Sequence, residues 1–488
     1  MTTHVTATRD QLASVVGGLL EDGHRLALVA AHEDADGFRV VYVLHGSDRV
    51  EVTVEMPRDD AWLPTLAAIC YPAGRFEREI RDLYGIRPVD HPLPHRLVRH
   101  AHWPTGYYPM LKDADPGSRT MPEGDGSSYP FLEVEGDGVY EIPVGPIHAG
   151  LIEPGHFRFS VVGETILRMK ARLWFMHRGV EKLAEGRAID DVMPLTERIS
   201  GDTAIGHSLA YAMAVEDALG VEVSEDARMV RALLLECERI YNHVADLGAM
   251  VNDVAFGIVN AHTAQLREHL LRHNEALTGH RLLRGAMQIG GARLQRPVDL
   301  ALIEESVARA RELAEVSLAH SVVANRLKET AVLRADQVRH MDVLGYVARA
   351  SGVPVDARVD HPFVDLGPDF HIITEADGDV RARFLVRYYE LGISASVIAD
   401  LVRRLDGRLG DVATATRTSG AGFGVVEAWR GALCHRVEVV DGTVTRLKVV
   451  DPSWFNWPAL PQALTDTIVP DFPLANKSFN LSYAGNDL

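Results

Sequence analysis

Cysteine is scarce: Cys70, Cys237 and Cys434 are the only three in 488 residues, and they lie far apart. Neither a disulfide framework nor a CxxC metal motif can be written from them. Long apolar runs are missing too. Stretches such as residues 26–31 fall well short of the roughly 20 residues a membrane-spanning helix needs, and the N-terminus lacks the basic-then-apolar order of a signal peptide. A soluble, cytoplasmic chain is expected, with no direct membrane insertion. Basic residues are in deficit: 50 Lys+Arg against 68 Asp+Glu leave a net charge of −18. That balance disfavours nucleic acid as well as direct adhesion to anionic lipid. Work at a membrane would require other subunits to hold the chain there.

What is present is ordinary globular composition, 47% hydrophobic and 24% charged, with length for two to four domains. The first hundred residues read as α+β. Val50, Val52, Val54 and Met56 alternate with Glu51, Thr53 and Glu55, the mark of a half-buried antiparallel strand. A partner strand over 38–44 follows the turn signal Asp36-Gly37, and His45-Gly46-Ser47-Asp48 can close the hairpin. Phe76, Ile80, Leu83 and Tyr84 have helical spacing. Periodicity is then lost in Asp115-Pro116-Gly117-Ser118 and Glu123-Gly124-Asp125-Gly126-Ser127-Ser128. The reading is therefore a small α+β domain over 1–112, a linker over 113–137 and a mainly helical domain over 138–488.

Within the large domain the clearest helix covers about 225–251, where Val230, Leu233, Leu234, Cys237, Ile240, Tyr241, Val244 and Leu247 recur at three-and-four spacing after a possible N-cap, Ser224. In that setting Cys237 reads as packing rather than redox chemistry. A second helix over 204–219 ends at Gly220, and others are expected near 262–280, 300–330, 337–350 and 382–406. Residues 424–450 turn β-rich, with a hairpin at Asp441-Gly442. Two patterns are set aside. The run Gly420-Ala421-Gly422-Phe423-Gly424 lacks the strand and helix of a dinucleotide-binding unit, and His269 with His273 lacks the glutamate of HExxH, suggesting a solvated helix face.

Several segments carry a family resemblance. Residues 145–158, GPIHAGLIEPGHFR, resemble the first hairpin of energy-converting [NiFe]-hydrogenase large subunits of the formate hydrogenlyase type. His177-Arg178-Gly179-Val180-Glu181-Lys182 resembles the HRGxEK signature these share with the quinone-site subunit of respiratory complex I. Residues 74–86 with His91-Pro92 resemble the small complex I subunit that precedes it, and Glu197-Arg198, residues 234–239, Ile289-Gly290-Gly291, Trp429-Arg430-Gly431 and Asp451-Pro452 extend the likeness. The resemblance implies an oxidoreductase-complex subunit beside an iron-sulfur small subunit, a ferredoxin-like subunit and a membrane arm, peripheral on the cytoplasmic face of the membrane. Iron-sulfur clusters, and NAD, would then belong to the partners.

It also implies where the chain departs. Active hydrogenases of this family place one CxxC after Glu-Arg and another after Asp-Pro; here Ser200, Thr203, Ser453 and Asn456 stand in those places. Hydroxyls and a carboxamide are hard, weak ligands that do not replace soft thiolates at nickel and iron. No metal centre is expected, and an active [NiFe]-hydrogenase is the least favoured reading.

In the complex I relative the corresponding metal-free cavity receives a quinone, using a histidine of the first hairpin and a tyrosine after Glu-Arg. His148 and His156 lie in this chain's hairpin, but no tyrosine follows Glu197-Arg198 until Tyr211. Ser200, Thr203, Ser453 and Asn456 are expected to line the vacated position. Asp202 and His207 form a candidate proton-relay pair; the plain alternative has Asp202 capping the next helix and His207 packing on it. Glu153 resembles a hydrogenase glutamate that passes protons inward. Arg178 and Glu181, three residues apart, suit a structural ion pair. A quinone site predicts an apolar tunnel ending near Asp202 and Ser453, and a filled interior there would count against it. A non-catalytic scaffold is the alternative.

Overall fold

The computed structural model describes residues 2–46, 48–114, 124, 126–413 and 417–488. Of the linker residues read as turns, Asp115-Pro116-Gly117-Ser118, Glu123 and Asp125 lie outside them, as does Ser47 of the expected hairpin turn.

The first unit is a four-stranded sheet with order Thr2–Thr6, Arg49–Pro57, Gly37–His45, Arg25–Glu33. Gly37 pairs with Pro57 and His45 with Arg49 in the expected antiparallel hairpin, and Thr2–Thr6 adds a parallel edge. On the polar face of 49–56, Glu55 is exposed and Thr53 partly so. Glu51 is buried, because its face of the sheet meets Arg436, whose guanidinium donates to it at 3.1 and 3.3 Å. The helix foreseen over 76–84 runs from Tyr71 to Tyr84: Pro72 suits its first turn, and Gly85 at φ 81° ends it.

The large unit opens with a three-stranded sheet, Val139–Val144, His156–Val162 and Thr165–Arg172, whose first two strands are joined by the signature loop 145–155. Helices Ala204–Leu219, Glu225–Asn252, Gly257–Thr278 and Val380–Leu405 follow the predicted segments. The Ser224 hydroxyl accepts from the Ala227 amide as the expected N-cap. The segment 300–330 divides at His320 into Leu300–Ala319 and Ser321–Leu327, and 337–350 divides at the left-handed Asp342 (φ 54°) into Ala335–Met341 and Gly345–Arg349. His269 is exposed as expected, but His273 is buried and its Nε2 accepts from the Asp299 amide.

A second three-stranded sheet, Gly420–Ala428, Gly431–Val440 and Thr443–Val450, lies across the Ala204–Leu219 helix. The glycine run set aside in the sequence explains the close approach. A methyl group on Gly420, Gly422 or Gly424 would lie 2.1–2.2 Å from the carbonyl oxygens of Ala218, Ala214 and Ala210 respectively. Glycines at every second strand position face alanines at every fourth helix position, so backbone meets backbone. The chain then folds back through short helices, including Pro452–Asn456, Phe472–Phe479 and Tyr483–Asp487, into the core.

Candidate functional site

The four ligand positions implied by the resemblance are all buried, and hydrogen bonds through Ser482 join two of them. Ser200 Oγ lies 2.9 Å from Ser482 Oγ, and the Ser482 amide donates to Ser453 Oγ at 2.9 Å. Ser482, one residue before the Tyr483–Asp487 helix, thereby joins the first ligand pair to the second. Thr203 Oγ1 receives Trp429 Nε1 and Arg430, each at 3.1 Å. Asn456 stands apart: its side-chain amide pairs both ways with the Leu344 backbone, at 2.8 and 3.1 Å. Trp454 stacks on Phe76 of the first unit and Trp457 meets Tyr483, ring centroids 4.8 Å apart in each pair. The aromatic cluster is core. Hydroxyls turned toward one another and an amide held by backbone do not fit a nickel-iron centre. Among the described residues, no three His, Cys, Asp or Glu gather to hold a metal ion.

Asp202 is the anion of this cluster, but its partner is not His207. Arg430 grips it bidentately at 2.7 and 2.7 Å, while Ser200 and Thr203 donate to Oδ1 at 3.0 Å. The Arg430 guanidinium lies 3.9 Å from the centre of the Trp429 ring. Burial opposes ionisation of Asp202, yet Arg430 and these bonds bring its pKa down to about 2. Nor does Asp202 cap the following helix. The Ile205 and Gly206 amides donate instead to Glu238, at 2.8 and 3.0 Å.

His207 is buried between Asp451, 3.2 Å from its Nε2, and His435, 3.1 Å from its Nδ1. Burial, and the neighbouring His207 ring, hold the His435 pKa well below the usual histidine range, so His435 is neutral. Asp451 also caps its helix by accepting from the Ser453 amide at 2.7 Å. The expected Asp202–His207 relay is therefore two separate units. Their partners come from a distant sheet and helix end that local spacing cannot reveal.

The hairpin residues gather on the last helix. Glu153 accepts from the Ala484 amide at 2.9 Å, and the His148 ring centroid lies 6.4 Å from that of Tyr483. A methyl group on Gly155 would meet the Tyr483 ring at 2.6 Å. His148 Nε2 is buried with no hydrogen-bond partner among the described residues. His156 faces away, its Nδ1 toward the Gly145 carbonyl and its ring 5.8 Å from Phe131. Tyr211, the tyrosine noted in the sequence, is buried and donates to the Ile189 carbonyl. The tyrosine beside the hairpin histidine is Tyr483, which the sequence reading did not single out. Beneath it, burial pushes the Asp487 carboxyl up to about 6, while the Asn486 side chain and Met176 amide donate to it at 2.8 and 2.9 Å.

Arg178 and Glu181 do not pair. Arg178 donates to the carbonyls of Arg198 and Ile199 at 3.1 and 2.7 Å, directly before Ser200. Glu181 accepts from Arg446 at 2.8 Å and from the Val449 amide at 3.0 Å. Lys448 Nζ, 3.1 Å from Glu181, also binds both oxygens of Glu79 at 2.8 Å, tying the two units together. The Arg178 and Gly179 amides donate to the Leu488 carbonyl at 2.7 and 3.1 Å, so the HRG turn holds the last helix in place.

A small α+β unit thus precedes a mainly helical unit whose buried centre is a cluster of hydroxyl, amide and charged side chains. Comparisons agree. The 30 Kd subunit model of respiratory-chain NADH dehydrogenase matches residues 5–120, the nickel-dependent hydrogenase model 178–249 and the 49 Kd subunit model 253–419. Formate hydrogenlyase subunit 5 of Escherichia coli (strain K12) is 34% identical over 90% of this chain and 78% of its own length. The C/D polypeptide of NADH-quinone oxidoreductase from Phocaeicola vulgatus is 31% identical, over 75% of each chain. A chain of the membrane-bound sulfane sulfur reductase, an archaeal respiratory membrane complex, superposes with a TM-score of 0.66 at 26% identity, over 72% of this chain and 99% of its own. The chain belongs to the family of oxidoreductase-complex subunits that includes these hydrogenlyase and NADH-quinone oxidoreductase relatives. Among the described residues no helix is long and apolar enough to cross a membrane.

Proposed function

We propose that this chain is the large subunit of a membrane-associated electron-transfer complex of the complex I and hydrogenase type, passing electrons from a partner's iron-sulfur clusters to a quinone-like acceptor without nickel or iron of its own. An iron-sulfur small subunit, a ferredoxin-like subunit and a membrane arm complete the assembly and hold it at the cytoplasmic face. NAD, where used, belongs to another subunit.

The filled interior at Ser200 and Ser453 argues against an acceptor at the vacated metal position. The acceptor reading therefore moves outward to the hairpin, and the observation that carries it is His148 beside Tyr483. Reduction of a quinone takes two electrons, supplied by the partner clusters, and two protons. His148 and the Tyr483 hydroxyl are the proton-bearing groups at that wall. Asp487, at about 6, stands behind them to return protons near neutral pH.

The test is quinone reduction by the assembled complex carrying Tyr483→Phe or His148→Gln. A fall of about 10²-fold or more, with assembly intact, is expected for loss of a proton donor. Unchanged turnover would sink the acceptor site and favour the second reading, a non-catalytic scaffold, which the dense packing around Ser482 supports. Nickel at one equivalent per purified chain would overturn both.

A further inference from the structure

A concentration of positive charge lies beside the Tyr71–Tyr84 helix and the loops that follow it. A cavity of about 470 Å³ is lined by Arg81, Arg96, Arg99, His100, Trp103 and Tyr108, with Arg78 and Arg172 close to the same loops. Such a volume suits a small molecule. In a chain of net charge −18 this gathering of arginines calls for a reason.

Backbone carbonyls hold four of these guanidiniums. Arg81 donates to the Pro94 carbonyl, Arg99 to Pro104, Arg78 to His95 and Arg96 at 2.8 and 3.0 Å, and Arg172 to Leu97 and Arg99. Carbonyls orient a cation without neutralising it. None of Arg78, Arg81, Arg99 and Arg172 has a carboxylate within ion-pair distance among the described residues. The lining carboxylate, Asp82, directs one oxygen to the amides of Leu97, Val98 and Arg99 at 2.7, 2.9 and 3.2 Å. Arg99 Nε is buried without a hydrogen-bond partner among the described residues. Trp103 and Tyr108 add flat walls, and the hydroxyls of Ser127 and Ser128 add polar ones.

We propose that this pocket binds a small phosphoryl-bearing molecule, its phosphate held by Arg81 and Arg99 and its body set against Trp103 and Tyr108. Several converging guanidinium forks match a multiply charged oxyanion better than a single carboxylate, because each fork supplies paired N–H donors. The pocket is also joined to the large unit. His100 Nε2 lies 3.1 Å from the Trp174 carbonyl, and the Trp103 ring centroid is 5.8 Å from that of His177, whose Nδ1 is 2.7 Å from the Asp487 carbonyl. Bound anion would thus brace the loop that leads to the last helix.

The experiment titrates the full-length protein with inorganic phosphate and with pyrophosphate, at constant ionic strength, by calorimetry and tryptophan emission. Saturable one-site binding is expected, tighter for pyrophosphate. Arg81→Gln and Arg99→Gln should each weaken it about tenfold, as loss of one charge-assisted contact predicts. His361→Ala, in a separate cavity, should leave it unchanged. Should Arg99→Gln fail to fold for want of its Pro104 contact, Arg81→Gln decides alone, since that side chain is half-exposed. The proposal is overturned by non-saturable binding, by pyrophosphate and chloride displacing phosphate equally well at equal ionic strength, or by equal affinity in Arg81→Gln.

Discussion

The Arg430–Asp202 pair allows the sharpest test of how the vacated ligand position is held. Arg430 is buried, makes two 2.7 Å bonds to Asp202, donates to the Asn480 carbonyl at 2.6 Å and lies flat over Trp429. Arg430→Met keeps the apolar stem but leaves Asp202 without its counter-charge, at a cost of about 3–4 kcal/mol, the lower part of the range for breaking a buried pair. Asp202→Asn keeps one acceptor and should cost about 2 kcal/mol. The double variant should be less destabilised than the sum by about 2 kcal/mol, the coupling of two groups in direct contact.

Acid adds a second, independent signature. The Asp202 pKa falls from 3.8 to about 2 on folding. A depressed acid stabilises the fold above pH 4, and this contribution disappears as pH falls from 3.8 through 2. The shift corresponds to about 2.4 kcal/mol at 1.36 kcal/mol per unit, reduced to about 1.5 kcal/mol because a third of the Asp202 side chain remains open to solvent. Urea titrations of the four proteins, followed by tryptophan emission at steps from pH 6 to 2, should show the gap between wild type and Arg430→Met narrowing over that window. A coupling energy below about 0.5 kcal/mol, or a constant gap, would refute the reasoning.

Asp487 should behave oppositely. With its pKa raised from 3.8 to about 6, its contribution is complete below pH 3.8 and is lost as pH rises through 6, so Asp487→Asn should gain up to about 3 kcal/mol on wild type between those limits. A flat pH difference in melting temperature would exclude this. Lys448→Met strands the buried Glu79 and Glu181 and should cost about 3–5 kcal/mol, read as an earlier thermal transition; a loss under about 1 kcal/mol would show that the bridge between the units is idle. Gly422→Ala, whose methyl would sit 2.2 Å from the Ala214 carbonyl, should cost about 3 kcal/mol, and a neutral variant would mean that strand and helix separate easily.

Hydropathy period located most helices and the first hairpin because those signals are local. It misjudged Glu51, since alternation reports one strand's amphipathicity and not that Arg436, from a sheet hundreds of residues later, covers the polar face. The glycine run was legible in principle. Gly420, Gly422 and Gly424 share one strand face, Ala210, Ala214 and Ala218 share one helix face, and two matching small stripes signal close backbone packing. The ligand positions came from resemblance, whereas their pairings could not: Asp202 finds Arg430 and His207 finds Asp451 across more than two hundred residues. Residues 480–488 gave no local signal of their depth: Leu481, Tyr483, Ala484 and Leu488 are buried, and so are the polar Ser482, Asn486 and Asp487, because each finds a partner.

Those pairings decide what the vacated position can hold. A quartet of thiolates concentrates negative charge, and positive metal balances it. Here the two carboxylates hydrogen-bonded to the four positions are already matched: Asp202 by Arg430, and Asp451 by His207 and the Ser453 amide. Ser200 and Thr203 direct their protons at Asp202, so their hydroxyls act as donors where a metal needs electron pairs. A cation entering this space would meet the Arg430 charge first. It would then have to break a bidentate pair and expel Ser482 before reaching three hydroxyl oxygens and an amide. These side chains therefore present directed hydroxyl protons and a backbone-held amide rather than open ligand atoms. Arg430 supplies the positive charge of this cluster, and the acceptor chemistry proposed above is placed outside it, beside His148 and Tyr483.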